Sequence, residues 1–246
     1  MRPYHALGRV VRSFGPNIKT AIAVVLVGTF VPWLIYVLVV GLKVAFAWII
    51  FYSISVGCGL LIVSHLWFRV WVHEFGISYR GILGYGEIRW GDLDRIYFGS
   101  YTVHAHYIPL GTFYRLRLIS LHGEKLSLGE RIGEADELAN LIQSYTLAQM
   151  YQKVLRQLEN GKEVNFGRIC INRKMGIRYH KWFFWHEIRW KQLNGYSVSD
   201  SHVNIAGEGK LFKVNIPTEK IANVHVLGHL LDGVRKGTIH VETRIR

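Results

Sequence analysis

The sequence is poor in cysteine and in acidic residues. Its 246 residues include two cysteines, Cys58 and Cys170, and 17 Asp or Glu against 30 Lys or Arg. Two cysteines are too few for a disulfide framework or for a zinc site built from cysteines. Half of the residues are hydrophobic, which excludes a disordered or collagen-like chain. The composition therefore indicates a basic, folded protein.

Charged residues are absent from two long runs near the N-terminus. Residues 20–42 and 44–68 contain no Lys, Arg, Asp or Glu, and Lys43 separates them. A helix rises about 1.5 Å per residue, so each run can cross a hydrocarbon core roughly 30 Å thick. We therefore predict a transmembrane hairpin over 20–68. A cleaved signal peptide is the alternative, but the first run is too long for a typical signal core and lacks a clear cleavage site.

The basic residues around these runs predict the orientation of the hairpin. A basic segment at 1–19 precedes it, and the connection between the runs carries one cation. Because cytoplasmic flanks are enriched in Lys and Arg, both termini and the soluble domains are expected on the cytoplasmic side of the inner membrane. Residues 2–14 are expected to lie on the bilayer as an amphipathic segment or to remain a frayed tail. The membrane-proximal cations are Arg2, Arg9, Arg12, Lys19 and Arg69.

The rest of the chain repeats a sequence pattern. Eight of twenty positions match at an offset of 100 residues, which exceeds the one or two matches expected by chance. A second register pairs Trp90–Leu93 with Trp185–Ile188, so the alignment stays open. The matches are Gly76, Ile77, Tyr79, Glu87, Ile88, Arg89, Trp90 and Leu93 with Gly176, Ile177, Tyr179, Glu187, Ile188, Arg189, Trp190 and Leu193.

Each copy has the pattern of antiparallel strands followed by a helix. Apolar residues recur at helical spacing between Glu134 and Glu159, and again after Pro217, where a second helix is expected to begin. Strands followed by a helix, twice over, predict two α+β domains at 69–160 and 161–246, the second with a short C-terminal tail.

This order of elements resembles a family of uncharacterised bacterial membrane proteins with an N-terminal transmembrane hairpin and pleckstrin-homology-like (PH-like) domains. The resemblance is carried by the Trp-x-acid-aliphatic turns, by Asn215-Ile216-Pro217 and by the segment from Asn223 to Leu227. It is clearest over 166–231 and weaker over 69–160. It implies tandem β-sandwich or barrel domains of seven strands, each closed by a C-terminal helix. It implies no particular activity.

Motifs for catalysis and for metal binding are weak. His225 and His229 stand four apart on the second predicted helix, with Asp232 nearby, but the glutamate of metalloprotease helices is missing. His104 and His106 share a strand face without a third ligand. The stretch from Gly207 to Lys210 is interpreted as a hairpin turn because it lacks the spacing of a phosphate-binding loop. We expect no enzyme activity, no bound metal and no cofactor.

Basic and aromatic residues interleave in one stretch of the second copy. Near an anionic bilayer, each such cation contributes about 1 kcal/mol, and aromatic rings favour the interface. The alternative is that the aromatic rings fill the domain core or the contact between the two copies, and that the cations only keep the surface soluble. Nucleic-acid binding is not expected, because no recognition motif is present. The candidate residues are Arg173, Lys174, Arg178, Lys181, Arg189 and Lys191, with Trp182 and Trp185.

These observations predict a non-enzymatic, membrane-anchored cytoplasmic interaction module. Its basic surface would face anionic lipid headgroups or a protein partner, and homo-oligomers are possible partners too. The alternative is an accessory or scaffold subunit that joins a larger membrane complex through the hairpin. For that alternative, the helix-packing face is marked by Pro32, Ser53, Ser55, Gly57, Gly59 and His65.

Overall fold

Two apolar helices interrupt an antiparallel sheet. The computed structural model describes residues 7–42, 45–81, 84–105, 108–129, 132–181, 184–207, 214–239 and 241. Strand β1 (Val10–Phe14) precedes helices α1 (Ile18–Leu42) and α2 (Ala45–Trp67), and strand β2 (Arg69–His73) follows them. Strands β1 and β2 pair in antiparallel fashion, with Phe14 opposite Val70. The helices are therefore an insertion between two neighbouring strands.

The expectation of an amphipathic or frayed segment before the helices is wrong for residues 7–14. Leu7 is 1% exposed and Phe14 is 2% exposed, and the Arg12 guanidinium lies 3.0 Å from the Glu134 carboxylate. The strand forms because β2 presents backbone N–H and C=O groups at its edge, which β1 satisfies. Arg2 lies outside the described residues.

Helix α1 contains a segment long and apolar enough to cross a membrane. This segment, Thr20–Leu38, has a mean hydropathy of 2.4, and 6% of it is buried inside the protein. In α2 the apolar segment Phe51–Trp67 is shorter. The two helices contact each other, since Gly28 lies against Ile62 and the rings of Tyr36 and Phe51 are 5.7 Å apart. Lys43 lies outside the described residues, and a second crossing by α2 stays a prediction.

The remaining elements form antiparallel sheets and two more helices. The sheet orders are β1-β2-β3-β4, β5-β6-β7, β11-β10-β9-β8 and β12-β13-β14. A four-stranded sheet, a three-stranded sheet and a helix therefore follow one another twice. The bounds are β3 (Gly76–Gly81), β4 (Gly84–Arg89), β5 (Leu93–Ala105), β6 (Ile108–Ser120), β7 (Lys125–Leu128), α3 (Ala135–Glu159), β8 (Val164–Asn165), β9 (Ile169–Asn172), β10 (Gly176–Lys181), β11 (Phe184–Ile188), β12 (Leu193–Val198), β13 (His202–Gly207), β14 (Val214–Pro217) and α4 (Val224–Arg235).

The element boundaries support the repeat register with an offset of 100. Strands β3 and β10 begin at Gly76 and Gly176, and β5 and β12 begin at Leu93 and Leu193. Trp90 and Trp190 each begin a short 3-10 turn and are 5% and 8% exposed. The alternative register, which pairs Trp90 with Trp185, is therefore wrong.

Helix α3 lies where the sequence predicts it, whereas α4 begins later than Pro217. Pro217 ends β14, opposite His202, and a 3-10 turn follows at Thr218–Lys220. Asn223 precedes α4 in a left-handed conformation, with φ of 50°. A proline fixes φ near the helical value, but the same value fits the last residue of a strand, which here is stabilised by pairing.

The chain forms two compact units. One unit comprises residues 1–89 and 130–134, and the other comprises residues 90–129 and 135–246. Within the second unit, Asn223 binds the backbone of β5. Its N–H donates to the Ile96 carbonyl at 2.7 Å, and its side chain accepts from the Ile96 N–H at 2.8 Å and donates to the Asp94 carbonyl at 3.0 Å. These bonds attach the three-stranded sheet of the first copy to the second copy.

Gly176 provides a test of how tightly the second copy is packed. It has φ of +111°, and a Cβ there would clash with the Ile188 carbonyl oxygen. We expect Gly176→Ala to lower the free energy of unfolding by about 2–4 kcal/mol, because it adds backbone strain and a clash. Gly195→Ala is the matched control, since nothing lies within 4 Å of a Cβ at that strand position. Thermal unfolding monitored by tryptophan fluorescence compares them, and equal midpoints would contradict the packing described.

Candidate functional site

The candidate basic residues separate into two groups at opposite ends of β10. This strand is antiparallel to both neighbours, and its pairing with β11 runs from Ile177 opposite Ile188 to Lys181 opposite Phe184. A six-residue strand is roughly 17 Å long at about 3.3 Å per residue. The sequence predicts one patch, but the sheet therefore divides it.

The first group lies at the turn between β9 and β10, and we name it the basic end. The Trp190 indole N–H donates to the Asn172 carbonyl at 3.0 Å and to the Arg173 carbonyl at 3.1 Å, which holds the turn beside Trp190. The Asn172 side chain accepts the N–H groups of Lys174 and Met175. The basic end comprises Arg173, Lys174, Arg189 and Lys191.

The second group lies at the other end of β10, where Arg168, His180 and Trp185 occupy neighbouring positions across three adjacent segments of the sheet. The His180 N–H donates to the Arg168 carbonyl at 2.9 Å, and His180 lies opposite Trp185 with its ring 5.3 Å away. Residues directly opposite each other share a face of a sheet. The Arg178 guanidinium lies 5.3 Å from the Trp185 ring centroid, at cation–π distance. Trp185 is nevertheless 46% exposed.

Two further residues come to this same end. Phe184 occupies the strand position opposite Lys181 and is 71% exposed. Lys220, from the turn before α4, is exposed, and its carbonyl accepts the Arg168 N–H at 3.3 Å. We name this group the aromatic end; the side chain of Lys181 and all of Trp182 lie outside what the structure describes. It comprises Arg168, Lys181, Phe184, Trp185 and Lys220.

Arg178, between the two ends, is engaged with a carboxylate. Its guanidinium lies 2.9 Å from Glu163, and both side chains are about one-third exposed. Burial, together with the charge of Glu163 and a hydrogen bond to it, raises the pKa of the neighbouring Cys170 thiol to about 11. Cys170 is therefore a neutral thiol near pH 7, which is inert as a nucleophile.

The sequence does not identify every member of the aromatic end. Lys220 reaches it through pairing between distant segments, for which the local sequence carries no signal. Phe184 and Trp185 lie on the surface, whereas Tyr179 is 4% exposed and belongs to the core. Among the aromatic residues of this stretch whose positions are described, Tyr179 therefore fills the core, and Phe184 and Trp185 do not.

The membrane-proximal cations are exposed where the structure describes their side chains. Arg9, Arg12 and Arg69 are exposed, and Arg12 has Glu134 as an ion-pair partner. Arg69 lies opposite Arg80 in the pairing of β2 with β3. The side chain of Lys19 lies outside the described part.

The two histidines of α4 differ in burial. His225 Nε2 is buried without a hydrogen-bond partner among the described residues, whereas His229 is exposed. Asp232 accepts a hydrogen bond from the Tyr196 hydroxyl. Among residues with described positions, no group of three His, Cys, Asp or Glu side chains is arranged to hold a metal ion. The side chains of His104 and His106, and residues 208–210, fall outside that part.

The fold defines the class of this chain: an apolar N-terminal helical region followed by mostly antiparallel β-sheets and helices, with two copies of one strand pattern. The chain belongs to the family of unknown function DUF6585, whose family model matches residues 2–238. No curated protein matches it.

The pKa of His225 predicts a loss of stability in acid. Burial, and then the charge of His229, lowers this pKa from 6.5 to about 4. Between pH 6.5 and 4, His225 is protonated in the unfolded chain but stays neutral in the folded chain. The free energy of unfolding should therefore fall as the pH drops from 6.5 toward 4, by about 3 kcal/mol in all. Chemical unfolding between pH 4 and 7.5 measures the fall. His225→Gln should flatten it over that window, and an unchanged slope in the variant would refute the assignment.

Proposed function

We propose that the chain is a non-enzymatic, membrane-anchored interaction module whose aromatic end contacts anionic lipid headgroups. One observation carries the proposal: Phe184 and Trp185 are exposed at the same sheet end as Arg168, Lys181 and Lys220. Aromatic rings favour the membrane interface, and each nearby cation contributes about 1 kcal/mol toward an anionic surface. Membrane lipids are thus its partners.

The pairing of β1 with β2 supports a hairpin anchor with both ends on one side of the membrane. Phe14 lies opposite Val70, so the chain leaves and re-enters the sheet at adjacent positions. If α1 crosses a bilayer, α2 has to return across it. Cleavage after a signal sequence would remove β1 and the buried side chain of Leu7. Together with the basic flanks, this favours a cytoplasmic location for both termini at an inner membrane.

The surface of the helices supports contact with lipid. Large apolar side chains on both helices are exposed by about three-fifths, such as Leu26, Phe30, Leu60 and Leu61. Soluble proteins rarely expose contiguous apolar surface of this kind.

The twofold order of sheets and helices supports tandem PH-like domains of bacterial type, at 69–160 and 161–246. Four strands, three strands and a helix are the elements that this fold requires. The second copy has them in that order within 161–246, whereas in the first copy β1 supplies the fourth strand from before the helices and the other elements lie within 69–160.

The first copy supports a membrane role for the aromatic end. In its four-stranded sheet, the end equivalent to the aromatic end adjoins α2: the Arg80 guanidinium lies 5.0 Å from the Trp67 ring, and Gly81 packs against Phe68. Tyr85, the counterpart of Trp185, is also 46% exposed. We propose that this end of the sheet serves for membrane contact in both copies.

Charge removal at the two ends of β10 tests the proposal. The full chain is held in nanodiscs of neutral lipid and mixed with sucrose-loaded vesicles, either neutral or containing anionic lipid, at low and moderate salt. We expect co-sedimentation with anionic vesicles that salt weakens. The triple variant Arg168→Ser, Lys181→Ser, Lys220→Ser should lower vesicle affinity on the order of 100-fold, since three cations contribute about 1 kcal/mol each.

The matched control removes three charges from the basic end, by Arg173→Ser, Lys174→Ser and Lys191→Ser. It has the same net charge as the first variant. Because the proposal places the lipid contact at the aromatic end, this control should lower vesicle affinity by only a few-fold. Equal losses in both triple variants would show that net charge alone drives binding. The absence of binding to anionic vesicles by the unmodified chain would refute the lipid role.

A subunit of a larger membrane complex is the second candidate function. One observation favours it: nothing lies within 4 Å of a Cβ built at Gly57 or Gly59, so these small residues are not used in packing α2 against the described part of α1. Small residues allow close approach of another helix. Defined partners that purify with the full chain, and are lost when residues 20–68 are replaced by an unrelated hairpin, would support this function.

A further inference from the structure

Strands β5 and β6 are longer than the repeated fold requires. Each has 13 residues, whereas their counterparts β12 and β13 have six. In the described residues, strand β7 pairs with β6 between Leu116 and Ile119. The part of the β5–β6 hairpin before residue 101 contacts the second copy, and we call it the base of the hairpin. There the Ser100 N–H donates to the Asp200 carbonyl, and Tyr97 forms an isolated β-bridge with Ala222.

Beyond this base the hairpin is a two-stranded ribbon. In the part of the chain that the structure describes, residues 101–105 pair with residues 108–113 and with no other strand. Tyr101 lies opposite Phe113, and Thr102 lies opposite Thr112. We name residues 101–105 and 108–113 the ribbon. A two-stranded ribbon is marginally stable in water on its own, so this one needs a surface to stabilise it.

The ribbon has no charged residue on either face. None of the 19 residues between Arg95 and Arg115 is Lys, Arg, Asp or Glu, which is the longest uncharged run outside the two apolar runs of the helical region. At the equivalent place, the second copy has a short polar turn with Ser199, Asp200 and Ser201. Natural sheets place charges on exposed edge strands to prevent association, and the ribbon lacks them.

We infer that the ribbon enters the interfacial region of the bilayer, an inference that rests on the proposed membrane anchor. A protein partner covers one face of a ribbon, whereas a bilayer surrounds both faces, and here both are uncharged. The unpaired backbone groups along its edges limit the depth, because the hydrocarbon core cannot satisfy them but headgroups and interfacial water can. Tyr101 and Phe113, opposite each other, are residue types that favour this depth. The contact requires no anionic lipid, unlike that of the aromatic end.

A fluorescent label on the ribbon tests this inference. The full chain, with Cys58→Ala and Cys170→Ala, carries Thr112→Cys labelled with an environment-sensitive dye and is reconstituted in neutral phosphatidylcholine vesicles. We expect blue-shifted emission and at least twofold quenching by lipids that carry a spin label at the headgroup or early in the acyl chain. Ser127→Cys, on the exposed face of β7, is the matched control and should show neither effect.

Two results would overturn the inference. Emission from the Thr112→Cys label that matches the control would show that the ribbon stays in water. Blue-shifted emission without quenching by spin-labelled lipid would show that protein, such as a second copy of this chain, covers the ribbon. Adding Ile108→Asp and Leu110→Asp should abolish the quenching.

The lipid role of the aromatic end can fail independently of this inference. Quenching of the ribbon label is expected in neutral vesicles and should persist in the triple variant of Arg168, Lys181 and Lys220. Vesicle binding by the aromatic end requires anionic lipid and should be unaffected by the ribbon substitutions.

Discussion

The pairing of β1 with β2 is the constraint on which the placement of the apolar helices, and so the proposed membrane anchor, depends. It brings together the two ends of the helical insertion, and it is extended beyond β1 by hydrogen bonds from Glu74 N–H to the Arg9 carbonyl and from Phe75 N–H to the Leu7 carbonyl. The Leu7 side chain then fills the space beside Gly76. Because these contacts fix both flanks of the insertion to one sheet, the helices cannot leave on opposite sides of a bilayer. A sheet formed from both sides of the insertion thus determines how the helices can be placed.

The two copies keep the same interior and differ at their surfaces. A glycine begins the third strand, in chain order, of each four-stranded sheet (β3 and β10), because the Ile88 or Ile188 carbonyl lies where a Cβ would be. On the neighbouring strand the copies diverge: the Tyr79 ring covers Gly86, whereas Tyr179 stacks on His186 with centroids 5.4 Å apart. Packing requires glycine at 76 and 176, whereas positions 86 and 186 on the neighbouring strand hold different residues in the two copies. The aromatic end occupies positions at which the two copies differ, and in the described part of the chain the long hairpin of β5 and β6 belongs to the first copy.

Local patterns were sufficient to predict the repeat, helix α3 and the apolar helical region, because periodicity and chain length are properties of a continuous segment. Strand β1, the late start of α4 and the place of Lys220 could not be predicted. Each depends on pairing between distant segments: β1 with β2, Asn223 with Ile96, and Arg168 with Lys220. The basic stretch was identified, yet its division into two ends follows from the hairpin register of β10, which composition does not reveal.

A modest number of contacts would be enough for the proposed lipid role, because the proposed anchor would already hold the chain at the membrane. A module tethered by a short connection experiences an effective concentration of its membrane target on the order of millimolar, and a 1 mM dissociation constant corresponds to about 4 kcal/mol. In the proposed contact, three cations would supply about 3 kcal/mol toward anionic headgroups. Partial burial of Phe184 and Trp185 at the membrane, at about 25 cal/mol per Å² of apolar surface, would supply the remainder once roughly 40 Å² leaves water. The basic end has four cations but no exposed aromatic ring, so salt would weaken all of its binding free energy toward a membrane. The aromatic end would keep the share of its binding free energy that comes from apolar burial.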